Sequence, residues 1–234
     1  EGPIPICPKV FENQGDCYGD RSAPREGRGN LVTPYFHGQK IKPDSEMESL
    51  LDPVFGQTAA YRKRVLAHSS RSIEHRRALE SELGNLIADG VRAYAQTDFA
   101  LVNPGGIRAN LPEGDISYSD LFQVIPFDNA IVKLKLTGAE LKKILQTAQS
   151  GMRGIYPTSG LKFKMIDLQL QAPSKDLNQN GKIDPWEFQR ITDLRSVDGK
   201  KIQDHAWYTL ATLDFLVSGG DDFGWSMRSI PKER

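Results

Sequence analysis

Residues 130–145, AIVKLKLTGAELKKIL, change their hydrophobic period within one unbroken stretch. Up to Thr137, apolar residues alternate with lysines, which predicts a strand with one wet face. Beyond it Leu141, Ile144 and Leu145 recur at helical spacing, and Thr137 with Glu140 forms a capping box. The same mixture runs through the chain. Leu83, Leu86, Ile87, Val91 and Tyr94 make one apolar helical face, and DFALVN reads as a short buried strand. SYSDLFQVI opens on a weak capping box at Ser117 and Asp120, while GLKFKMIDLQLQ and WYTLATLDFLV read as strands. Helices and strands are mixed and the later strands cluster. The expected fold class is therefore α+β, a mixed β-sheet with flanking helices, not a regular β-α-β series.

Upstream the pattern is weaker. Residues 1–42 are rich in Pro, Gly, Asn and Arg and predict an irregular extension or linker. A helical stretch is expected from Pro43 to about Leu66, with Asp52-Pro53 reading as a helix start, so two short helices or one kinked helix. HSSRSIEHRR is polar and reads as a surface crossing. Cys7 and Cys17 flank a short loop in this core-poor head and favour a disulfide in an exported protein; the alternative is two free thiols in a mobile tail. A first residue of Glu1 leads us to expect a processed form or an excised part of a longer chain. No apolar run reaches the length of a membrane span. The 30 basic and 30 acidic residues balance, which argues against a polymeric nucleic acid partner, since that requires a basic excess. A small anionic ligand held by local arginines stays open.

LVNPGGIR, residues 101–108, ends a strand in two glycines and an arginine. Taken alone it is either a plain turn or a place where backbone approaches a ligand. It lacks the Lys-Ser/Thr of a Walker loop. Its neighbours bear on the choice. ESELGNLIADGVR, LVNPGGIR, GDISYSDLFQVIPFDN, LTGAELKKIL, YPTSGLKF and YTLATLDFLVSGGDDF follow one another in order. Across roughly residues 76–228 this series resembles the C-terminal domain of the 5'-nucleotidase family, which includes UDP-sugar hydrolases and ecto-5'-nucleotidases. The resemblance implies a substrate-binding domain at 76–234, preceded by an interdomain-linker-like helical segment at 43–75. It implies that Phe127 and Phe215 clamp a base between their rings, a contact sound for any base. It also implies that Asp221 accepts bonds from ribose hydroxyls, that Asn103 approaches the base edge, and that Arg108 and Arg77 serve the charged end of a nucleotide.

In that family a separate N-terminal metallophosphoesterase domain, with two divalent metals such as Zn²⁺ or Mn²⁺, hydrolyses the phosphate ester. Its marks, Asp-x-His, Gly-Asn-His and Gly-x-His, are missing here, and His37, His68, His75 and His205 lack ligand-like spacing. The expectation is a chain that binds nucleotide but does not cleave it, as part of a parent hydrolase in nucleotide catabolism, with the N-terminal domain as its partner.

One motif belongs to no block of the series. DLNQNGKIDPWE, residues 176–187, fits an EF-hand loop: Asp176, Asn178 and Asn180 at positions 1, 3 and 5, Gly181 at the turn, the Lys182 carbonyl at 7, Asp184 at 9 and Glu187 at 12. It predicts a lone calcium site inserted between two strands, against the alternative of an Asn-Gly hairpin with solvated carboxylates. A calcium-stabilised, non-catalytic nucleotide-binding or surface module is the rival to the hydrolase domain.

Overall fold

The computed structural model describes residues 10–11, 30–42, 44–177, 179–184, 187–228, 230, 231 and 233. Cys7, Cys17 and Asn178 lie outside these. The chain divides into two compact units, Glu1–Arg62 and Lys63–Arg234.

In the first unit β1 (Val10–Phe11) pairs with β2 (Leu31–Val32), and β3 (Tyr35–Phe36) with β4 (Gln39–Lys40). The stretch expected to be irregular thus carries two short ribbons among its described residues. The second closes through His37 and Gly38, both at positive φ (47° and 74°), the backbone a two-residue hairpin loop needs. Helix α1 (Ser45–Arg62) is a single helix through Pro53, where a break or a second start was expected. The start lies earlier because Asp44 caps it, its Oδ1 accepting from the N–H of Glu46 (3.0 Å) and Met47 (2.9 Å).

The second unit opens on a strand, not on the continuing helix foreseen as far as Leu66. Strand β5 (Val65–Ser69) meets the later β7 (Gly114–Ser117) antiparallel, so a partner some fifty residues on overrides the local pattern. Between them lie α2 (Glu82–Ala95) and β6 (Phe99–Leu101). Leu83 of α2 is buried and Ile87 and Val91 are half-buried, but Leu86 and Tyr94 face out, so the apolar face is narrower than its spacing suggested. Next come α3 (Tyr118–Val124), β8 (Ile131–Thr137), α4 (Gly138–Ala148), β9 (Thr158–Ser159), β10 (Leu161–Met165), β11 (Ile191–Ser196), β12 (Trp207–Leu213), α5 (Asp214–Val217) and α6 (Gly224–Arg228). Both capping boxes form, Ser117 with Asp120 and Thr137 with Glu140.

The central sheet has the order β8-β12-β6-β9. β12 runs parallel to β6, while β8 and β9 are antiparallel to their neighbours, so the sheet is mixed and the fold is α+β. Leu134 and Leu136 of β8 point inward while Lys133 and Lys135 stay exposed, the wet face the alternation predicted. Leu141, Ile144 and Leu145 of α4 are fully buried in the same cluster as Leu101, Leu210 and Leu216. Each such side chain contributes on the order of 1.5–3 kcal/mol. Two expected strands are shorter than their apolar runs. β10 stops at Met165 at a register shift, and β12 gives way at Asp214 to the single turn α5.

Candidate functional site

The pairing of the sheet brings four connections to one edge. β6 and β12 are parallel, so the segments leaving both exit together, and the segments entering β8 and β9 arrive at the same edge. The carboxyl ends of parallel strands are where open α/β sheets place ligands. The segment after β6 holds Asn103 and the turn Pro104–Gly106; the one after β12 holds Phe215 and Asp221. Phe127 lies in the connection into β8, and Tyr156 precedes β9, where the Pro157 carbonyl accepts from the Val102 N–H (3.1 Å).

At this edge Asn103 and Asp221 meet. Asn103, 7% exposed, donates from Nδ2 to Asp221 Oδ2 (3.4 Å), and the Tyr156 hydroxyl donates to the same oxygen (3.1 Å). Asp221 is held in the left-handed region (φ 52°) by the Gly-Gly-Asp-Asp turn. Its neighbour Asp222 accepts from Arg153 Nε (3.0 Å), and that bond with the Asp222 charge raises the Arg153 guanidinium above its ordinary value. Burial, and after it the Asp221 charge, pushes the Tyr156 phenol up, so the hydroxyl remains a donor.

Arg77 and Arg108 both address Gly105. Arg108 donates from Nη1 to the Gly105 carbonyl (3.1 Å), while Arg77 Nη2 lies 3.8 Å from where a Cβ on Gly105 would stand. Arg77 is fixed through Nε to the Arg153 carbonyl (3.2 Å). Phe215 lies across Gly220: a Cβ there would fall 2.4 Å from the ring's Cζ, so only glycine lets the ring lie down on the turn. Phe127 is 55% exposed and Phe215 40% exposed, each open to a partner. Their segments are tied at the root, where the Asp214 N–H donates to the Ala130 carbonyl (2.9 Å). The structure therefore brings Arg77, Asn103, Arg108, Phe215 and Asp221 to one edge of the sheet, with Phe127 on the adjoining connection.

Sequence reasoning passed over Tyr156, Arg153, Asp222 and His75. Tyr156 stood inside the quoted YPTSG block, and Asp222 is the second acid of GGDD. His75 carried no signal of its own. Its Nδ1 lies 3.1 Å from Ser81 Oγ, which already accepts from the N–H of Arg76 (3.1 Å) and Gly84 (3.0 Å). The serine proton therefore goes to Nδ1, and the neutral ring carries its own proton on buried Nε2. Burial is the main force holding this imidazole below its ordinary value; the Pro104 carbonyl opposes it and the Arg77 charge adds to it.

These contacts set the chain beside known proteins. A profile described as 5'-nucleotidase, C-terminal domain, matches residues 54–228. The chain belongs to this family. It is 30% identical over 189 residues to Endonuclease YhcR of Bacillus subtilis, covering 79% of this chain and 14% of that protein. To the 5'-nucleotidase of Vibrio cholerae serotype O1 it is 33% identical over 192 residues, 80% of this chain and 31% of that one. The crystal structure of a 5'-nucleotidase precursor from Thermus thermophilus superposes with a TM-score of 0.60 at 25% identity, over 86% of this chain and 40% of that one. The chain thus spans less than a third of the length of these two curated relatives.

The 176–187 loop lies apart in the chain, between β10 and β11. Asp176 accepts from the N–H of Asn180 (3.1 Å) through Oδ1 and of Gly181 (2.8 Å) through Oδ2. Gly181 sits at φ 80°. Glu187 is fully buried and draws the loop shut, Oε1 accepting from the Leu177 N–H (2.7 Å) and Oε2 from that of Asp184 (2.8 Å). The donor set is all oxygen, suited to a hard cation such as calcium. Among the described residues no three His, Cys, Asp or Glu side chains converge as a metal cluster. His68 Nδ1 lies 2.9 Å from Asp115 Oδ1, and His75 Nδ1 3.1 Å from Ser81 Oγ. No described helix is long and apolar enough to cross a membrane.

Proposed function

We propose that this chain is the nucleoside-binding domain of a 5'-nucleotidase-type phosphoesterase, a hydrolase of nucleotide phosphate esters in nucleotide catabolism. The observation that carries the proposal is the direct Asn103–Asp221 contact, made across the sheet edge by two residues 118 positions apart. In this reading a base stacks between Phe127 and Phe215, Asp221 holds a ribose hydroxyl and Asn103 faces the base edge. Arg77 and Arg108, grouped at Gly105, meet the phosphate. The hydrolytic step falls to an N-terminal metallophosphoesterase domain of the parent chain, where Zn²⁺ or Mn²⁺ would supply a nucleophilic water; this chain alone binds without cleaving. Export to the periplasm, cell surface or medium accompanies the reading, supported by a relative named Cell wall protein Lmo0130.

Calorimetric titration with AMP or adenosine tests the clamp. Phe127→Ala and Phe215→Ala are each expected to weaken binding by the ~1–3 kcal/mol of a stacked base. Equal affinity in all three proteins would sink it.

The rival, a calcium-stabilised binding or surface module, draws on a different observation: Asp176 and Glu187 already hold the main chain of the loop in a closed curve. We propose that Ca²⁺ binds there through Asp176, Asn178, Asn180, the Lys182 carbonyl, Asp184 and Glu187, in either reading of the domain. Millimolar Ca²⁺ is expected to raise the melting temperature, because binding only to the folded state stabilises it. The same rise in Glu187→Gln, or none in wild type, would remove the site.

A further inference from the structure

We propose that α1 is a self-association surface, which pairs antiparallel with the same helix of a second copy of this chain. Its apolar side chains Met47, Leu50, Leu51, Val54 and Phe55 follow the spacing of a single helical stripe. Each is between 40% and 66% exposed, and no side chain of α1 is buried. By contrast α2 buries Leu83, and α4 buries Leu141, Ile144 and Leu145. The interior of α1 also carries Pro53 and Gly56, the two residue types least suited to a helix. Helices in proteins take most of their stability from packing an apolar face. A partner on the stripe supplies what propensity here does not.

The charges identify that partner. Glu46 and Glu48 stand in the first turn of α1, and Arg62 in its last. Glu48 and Arg62 lie seven residues to either side of Phe55. Seven residues fall within about 20° of two full turns, so these three side chains form a line along one flank of the stripe. A twofold axis beside Phe55 therefore lays the Glu48 of each copy against the Arg62 of the other. It also sets the two Phe55 rings side by side and packs stripe on stripe. Such an interface is isologous: one surface complements itself. A parallel pair would instead oppose Glu48 to Glu48 and Arg62 to Arg62. An unlike partner needs no such symmetry within α1, so the arrangement selects a second copy as the occupant.

Sedimentation equilibrium of the 234-residue chain tests the pairing. The proteins compared are wild type, Val54→Glu, Glu48→Arg, Arg62→Glu and the double charge swap. Wild type should dimerise below ~100 µM, and Val54→Glu, with a charge in the middle of the stripe, should stay monomeric over that range. Each single reversal should raise the dissociation constant about tenfold or more, because both pairs of the twofold become like-charged. The double swap should bring it back to within about threefold of wild type. That swap sets charge against the helix dipole at both ends, so an effect through helix stability alone would make it weaker than either single reversal. A wild type that remains monomeric at ~100 µM overturns the proposal. So does a Val54→Glu protein that dimerises as wild type does, or a double swap no tighter than the single reversals. Should Val54→Glu not fold, the charge series decides alone.

Discussion

Asn103 and Asp221 stand 118 residues apart and meet only because β6, β9 and β12 pair in register, whereas Asp176 and Glu187 close their loop within a single run of twelve residues. The sheet-edge cluster is a product of topology; the loop is a product of local turns. The difference sets what damages each. The cluster fails when any one of several distant segments shifts. The loop fails only through its own residues, and its failure should leave the sheet standing.

The sharpest way to break this contrast is Gly154→Ala. Gly154 lies at φ 106°, and a Cβ there would fall 2.3 Å from the Arg77 carbonyl, which accepts from the Ile155 N–H (2.8 Å). That carbonyl is main chain and cannot swing aside. Between the unfavourable φ and the forced separation of the two segments, a loss of about 3 kcal/mol is expected. Arg77 and Tyr156 should lose their alignment together, so nucleoside affinity falls even in the molecules that remain folded. Denaturant unfolding and titration, run on the same preparation, measure both. Wild-type stability would show that the 153–156 segment does not depend on its approach to Arg77.

Glu187→Ala is the matching lesion in the loop. It strips the acceptors from the N–H groups of Leu177 and Asp184 and leaves a hole where a fully buried side chain stood. A cost of about 2 kcal/mol in calcium-free buffer is expected, from unsatisfied main-chain donors. Nucleoside affinity should stay at the wild-type value. A large loss of affinity would mean that the two regions are coupled and the contrast is false.

The same contrast explains what could be seen in the sequence. The closure of the 176–187 loop was legible in part, because Asp176, Gly181 and Glu187 sit at fixed offsets within it. The capping boxes at Ser117 and Thr137 and the wet lysine face of β8 were legible for that reason too: each is a local pattern with a local cause. Val65 and Leu66 of β5 read as the end of a helix and its tail as a polar crossing, because only its partner, at 114–117, makes it a strand. β12 ends before Asp214, where the chain turns into α5 and the Phe215 ring lies over Gly220, a long-range contact that the apolar run does not announce. Tyr156 was invisible as a site residue, since nothing near it in the chain says that its hydroxyl will reach a carboxylate 65 residues away. The family resemblance supplied Phe127, Phe215 and Asp221 because each has a named role within its block. It did not supply the Tyr156 contact, although YPTSG is one of the blocks, because a block marks a position in the chain and not the partner of a side chain.

The smallest predicted effect separates the two regions by pH. His75 lies under the Pro104 turn with its imidazole held below the ordinary histidine value, chiefly by burial, whereas in the unfolded chain it titrates near ~6.5. Between those two values the unfolded chain binds more protons than the folded one, so stability rises with pH through the window. The contribution is complete above about pH 6.5 and is lost as pH falls through the folded-state value. Wild type should therefore lose melting temperature more steeply than His75→Gln as the pH is lowered from about 7 towards about 5, and Glu187→Ala, whose lesion lies in the loop, should keep the wild-type slope. Parallel slopes for wild type and His75→Gln would show that the imidazole is solvated in solution, and that the turn carrying Asn103 is more open than its buried serine–histidine contact implies.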